Sequence, residues 1–163
     1  MTRLLLTSAC VLFIGLLLLA MLWGWRNRIR QQAMLPELPA APDELGAALL
    51  SPLAGVYVGT TFAPSWQERV VHAGLGMQSQ ATITRYRDGL LIDRVGADAL
   101  FIATQAIVQA RLAPGLAGKV VGTGGLLVVR WHLGQTELDS GFRADDKSSY
   151  PDWVRAINGK VLA

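Results

Sequence analysis

APGLAGKVVGTGGLLVVRWHLG, residues 113–134, sets six glycines around one lysine ahead of a dense apolar run. Such a stretch opens either a helix that cradles phosphate or a strand. A Walker-type loop needs Gly, four residues, then Gly-Lys-Ser/Thr, because successive backbone N–H groups curl around the phosphates while the hydroxyl holds magnesium. Around Gly118-Lys119 the chain has Ala113 in place of the first glycine and Val120 in place of the hydroxyl. A dinucleotide fingerprint needs G-x-G-x-x-G between a strand and a helix. Here Gly122-Thr123-Gly124 runs into Gly125, Leu126, Leu127, Val128 and Val129, a β-branched continuation that suits a strand. The stretch therefore reads as a glycine-rich loop, a buried central strand over 126–133, and a turn at Gly134 into a returning strand over 135–143.

Working outward, the chain from Ala54 shows short strand-like runs separated by turn signals, as an antiparallel β domain requires. Residues 55–61 alternate, as do 80–87, and Asp88-Gly89 reads as a two-residue hairpin turn into 90–95. Strands over 99–103 and 106–112 follow. The closing segment SSYPDWVRAINGKV, residues 148–161, predicts a helix. Ser148 or Ser149 would cap it, Pro151 and Asp152 suit its first turn, and Gly159 would end it. Trp153, Val154, Ile157 and Val161 form one apolar stripe, and such a stripe would seal an open barrel.

The other end of the chain has a different character. Residues 4–25, LLLTSACVLFIGLLLLAMLWGW, carry no charge over 22 positions. At 1.5 Å per residue that run crosses about 30 Å of hydrocarbon. It is longer than a signal-peptide core and ends in Trp23 and Trp25, followed by Arg26, Arg28 and Arg30, the pattern of a membrane exit. These five residues are the expected membrane-interface positions. Three arginines after the span against Arg3 before it place the C-terminal part in the cytoplasm by the positive-inside rule. The expected organisation is a transmembrane anchor over 1–30, a Pro/Ala-rich spacer over 31–53 and a β domain over 54–163.

The net charge of +3 comes from the anchor. Arg3, Arg26, Arg28 and Arg30 flank the span, which leaves eleven basic residues against twelve acidic ones beyond it. Nucleic acid is thus not an expected partner, whereas anionic headgroups attract a juxtamembrane cluster of this kind. The single cysteine, Cys10, lies within the apolar run, so no intramolecular disulfide can form.

About seven strands followed by a helix with a core tryptophan resemble the pleckstrin-homology-like (PH-like) barrel. The runs DALFIATQAIVQARLA, GGLLVVRWHLGQTELDSGFRADD and YPDWVRAIN resemble actinobacterial PH-like proteins that carry one N-terminal membrane span and are often labelled export or transporter proteins. The resemblance implies a mainly β fold, a PH-like antiparallel barrel capped by a C-terminal helix behind a transmembrane helix.

Catalytic patterns are hard to find. With two histidines, His72 and His132, and no cysteine beyond the anchor, neither a zinc site nor any cofactor is expected. No G-x-S-x-G occurs, and Asp139 with Asp145-Asp146 reads as a solvated acidic turn. The chain therefore reads as a non-enzyme. The ligand-binding candidates are Arg85 and Arg87, two apart on one strand and so on one face. They resemble the end of the phosphoinositide-binding pattern of PH domains. Two functions remain as expectations. One is a single-pass membrane-tethered module that binds a protein or peptide partner between the helix and an open strand edge. The other is an accessory subunit of a membrane transport or export assembly.

Overall fold

A computed structural model describes residues 11–24, 35–42, 44–122 and 125–159. The chain divides into two compact units, 1–34 and 35–163. In the first, residues 11–24 are helical (α1), and their large apolar side chains are 51–77% exposed. Among the described residues no helix is long and apolar enough to cross a membrane. The span expected over 4–25 is described only in this central part; Trp25, Arg26, Arg28 and Arg30 lie outside the described residues.

The second unit carries seven main strands: β1 (Leu53–Phe62), β2 (Ser79–Arg85), β3 (Gly89–Arg94), β4 (Leu100–Ala103), β5 (Ile107–Ala113), β8 (Leu126–Leu133) and β9 (Thr136–Ala144). Two-residue strands β6 (Gly115–Leu116) and β7 (Lys119–Val120) form a separate small hairpin. The sheet order is β4-β3-β2-β1-β9-β8-β5, with every pairing antiparallel. Its two edge strands, β4 and β5, are consecutive in the chain and joined only by the 3-10 turn Thr104–Ala106. A flat seven-stranded sheet would hold its edges about 28 Å apart, whereas three connecting residues reach about 15 Å at most. The sheet must therefore curl into an open barrel.

The barrel interior is apolar, with Ile83, Leu90, Ile92, Leu127, Val129, Trp131, Leu138 and Phe142 buried in one cluster. Through it runs a hydrogen-bond chain with a single consistent direction. Trp131 Nε1–H donates to Ser140 Oγ (2.9 Å), Ser140 to Thr60 Oγ1 (2.6 Å), Thr60 to the Tyr57 hydroxyl (2.6 Å), and Tyr57 to the Leu75 carbonyl (2.9 Å). Complete burial pushes the Tyr57 phenol up to about 12, an effect its hydrogen bonds and Arg94 only partly offset. Below pH 10 both folded and unfolded chains keep this proton. Between pH 10 and 12 the unfolded chain ionises first, so stability should fall by about 3 kcal/mol across that window. Melting temperatures measured from pH 8 to 12 should show the fall, and Tyr57→Phe should remove most of it. A smaller remainder belongs to Tyr150, whose phenol burial also raises.

The glycine-rich stretch forms a lid. Ala117 (φ 54°) and Gly118 (φ 71°) make the two-residue turn between β6 and β7, the positive φ pair of a type I′ hairpin. Leu116 and Ala117 bury a second small core with Val58, Ala113, Leu126 and Val128. Glycine at position 141 on β9 makes room for this core, since a Cβ there would lie 2.7 Å from Leu116 Cδ2 and the leucine would have to shift.

Three local expectations are corrected. The hairpin after β2 turns at Arg87-Asp88, closed by Tyr86 N–H to the Gly89 carbonyl (2.8 Å). Gly89 is instead the first residue of β3, where a Cβ would collide with the Phe101 ring and crowd the Ile102 carbonyl. Of the spacer expected over 31–53, Leu35 is buried in the main core, Leu38 and Leu50 pack against it, and Leu49 N–H donates to the Arg85 carbonyl (2.7 Å). The C-terminal helix α2 (Tyr150–Asn158) has Ser149 at its N-cap, but no serine side chain caps it. Asp146 Oδ1 instead accepts the Ser148 N–H (2.9 Å) and shapes the entry. Tyr150, Trp153 and Ile157 form the buried face of α2, with Val154 partly buried beside them; Val161 lies outside the described residues.

Candidate functional site

The structure separates the two candidate arginines. β2 ends at Arg85, so the two-residue period stops there: Arg85 turns inward at 1% exposure, and Arg87 sits exposed in the turn. Arg85 Nη1 donates to the carbonyls of Tyr86 (2.7 Å) and Gly89 (2.9 Å) and to Thr104 Oγ1 (3.0 Å). Thr104 in turn donates to the Arg87 carbonyl (3.0 Å). Burial pushes the Arg85 guanidinium below its usual value. Of the membrane-interface positions, Trp23 is described and is 77% exposed.

The long loop between β1 and β2 is held by the domain's own donors. Arg94 Nη1 donates to the Gly74 carbonyl, the Tyr57 hydroxyl to Leu75, and Arg69 Nη1 to Gly76, three consecutive carbonyls at 2.9–3.0 Å. Arg69 also donates through Nε and Nη2 to Ala117 in the lid, tying loop and lid together. Arg94 stacks over the Tyr57 ring at 5.3 Å. These internal bonds draw both guanidinium groups toward the fold.

Asp139 does not belong to an acidic turn. It lies on β9 with a side chain 2% exposed, and accepts from Arg130 Nε (2.8 Å) and Nη2 (2.9 Å) and from Arg111 Nη2 (2.7 Å). The hydrogen bonds to Asp139 hold the Arg130 guanidinium above its usual value. His132 Nε2 lies 3.5 Å from Glu137 Oε1, so β5, β8 and β9 share a charge ladder across one face. The sequence signal for it was the alternation of Arg130 with His132 and Glu137 with Asp139 in paired strands, but the pairing register is needed to match them. Among the described residues no group of three His, Cys, Asp or Glu could hold a metal ion.

At the free edge of β5 one side chain imitates a strand. Asn158 Oδ1 accepts the Ala110 N–H (2.7 Å), and Asn158 Nδ2 donates to the Ala110 carbonyl (2.9 Å). Ala110 therefore turns both backbone groups away from β8. By the two-residue alternation of antiparallel ladders, Leu112 turns its backbone groups to the same edge. Leu112 is 43% exposed, and Pro114 ends the edge just beyond it. Sequence reading placed the helix beside an open edge; it had no means of seeing Asn158 occupy part of that edge. Elsewhere, a shallow cleft of about 420 Å³ lies between residues 50–54 and the start of α2, with Asp145, Asp146 and Asp152 at its rim.

The sequence model of the family described as Bacterial PH domain-like matches residues 35–158, beginning where the core begins at Leu35. No curated protein matches the chain.

Proposed function

Since the chain belongs to the Bacterial PH domain-like family, we propose that it is a non-catalytic interaction module, tethered to the inner membrane by its N-terminal apolar segment, that takes up an extended segment of a partner protein along the β5 edge beside α2. The observation that carries this reading is the pair of Asn158 bonds to Ala110. They mark a strand edge whose backbone groups point outward and accept an amide, the geometry by which a sheet takes up an added strand. A partner strand displacing Asn158 would gain the donors and acceptors of both Ala110 and Leu112. Tethering is supported by the 22 uncharged residues, by the exposure of every large apolar side chain over 11–24, and by the arginines that follow.

A photocrosslinking residue placed at Leu112 of the full chain, in membranes of its own host, should yield a protein adduct that the same residue at Lys147 does not. Asn158→Ala should raise the yield by freeing the edge. Equal labelling from both positions would remove the edge as the binding surface, and release of the chain from the membrane fraction by alkaline carbonate would remove the tether.

A further inference from the structure

The buried guanidinium of Arg85 is used on one side only. Nη1 takes three acceptors, from the β2–β3 turn and from the 104–106 turn, and these fix the plane of the group. Nε and Nη2 are buried and make no hydrogen bond. No carboxylate among the described residues forms an ion pair with it. The other arginines drawn into the fold differ. Arg130 shares Asp139 with Arg111, and Arg94 gives Nε and Nη1 to carbonyls while stacking on Tyr57, so that only Nη2 is idle.

Nε and Nη2 are adjacent donors on one side of the guanidinium, and their parallel N–H bonds match the two oxygens of a carboxylate. A buried charge with no counter-charge is costly, and an anion at this fork would remove that cost. A single positive charge with two free donors suits a monoanion, whereas a phosphate dianion would bring a second negative charge that Arg85 alone leaves unbalanced. One exposed segment is tied to the backbone of Arg85. Residues 46–49 are exposed, Gly46 has φ 71°, and Leu49 N–H donates to the Arg85 carbonyl. We propose that Arg85 is the receptor for a carboxylate, which reaches the Nε/Nη2 fork when the exposed residues 46–49 move aside. The site is separate from the β5 edge and stands whether or not that edge binds a partner.

The carboxylate could belong to a small acid or to a partner's side chain. Acetate serves as the probe for the first, and the amidated peptide acetyl-Ala-Glu-Ala for the second. The full chain in detergent micelles is titrated with each, and with chloride and inorganic phosphate at matched ionic strength, while the Arg85 Nε–H resonance is followed by NMR. Acetate or the peptide should move that resonance saturably and raise the melting temperature, and chloride should do neither. A response to acetate identifies a small acid as sufficient; a response to the peptide alone identifies a partner's side chain. Arg85→Lys can keep donors toward the three acceptors but lacks the fork, so the carboxylate concentration needed to raise its melting temperature should be higher by roughly tenfold or more. No saturable response to either carboxylate, a response to phosphate alone, or an equal response in Arg85→Lys would each overturn the assignment. The wild-type titration decides the matter even if the variant fails to fold.

Discussion

Trp153→Ala should lower the stability of the β domain by about 3–5 kcal/mol, the cost of truncating a buried tryptophan. The indole is 2% exposed within the main core, on a helix of only nine residues. A helix this short has little stability of its own and persists through the face it packs. Removing its largest side chain should therefore also loosen the contacts with Ala110 made by Asn158, five residues along the same helix. Urea unfolding of the full chain in micelles, followed by far-ultraviolet circular dichroism, measures the loss. A change below about 1 kcal/mol would mean that α2 rests on the barrel without sealing it.

Among substitutions, Asp139→Ala should produce the next largest loss, about 2–3 kcal/mol. Breaking a fully buried ion pair costs about 3–5 kcal/mol because the surviving charge is stranded. Here the arginine side chains are 19% and 37% exposed, so water can solvate part of what Asp139 leaves behind, and the figure is discounted accordingly. Asp139→Asn, which keeps the volume and some of the hydrogen bonding, should lose less than Asp139→Ala. If both variants melt with the wild type, the ladder across β5, β8 and β9 contributes nothing to stability.

Much of the fold was legible because its periodicities are local. The strands over 126–133 and 135–143 were placed to within a residue at each end, since alternating burial leaves a period of two in the sequence. Proline and aspartate marked the start of the last helix for an equally local reason. The site was less legible. Arg85 and Arg87 look alike in sequence, and only the end of β2 decides that one is buried and the other exposed. Asp139 reads as one more acidic residue near Asp145 until register sets it opposite Arg130.

By itself, the sequence determined the composition of the parts: an uncharged apolar segment, a β domain without disulfides or catalytic motifs, and a closing amphipathic helix. Each of these follows from short-range pattern, which the chain carries wherever it folds. Tertiary structure decided the contacts between parts distant in sequence. It turned the glycine loop into a lid over a second core, drew Leu35 and Leu50 onto the barrel, and set Asn158 against the edge of β5. The physical reason is that a donor or an apolar face specifies only the kind of partner it needs. Which partner it meets depends on the curl of the sheet, and that is imposed by the three-residue link between its two edge strands.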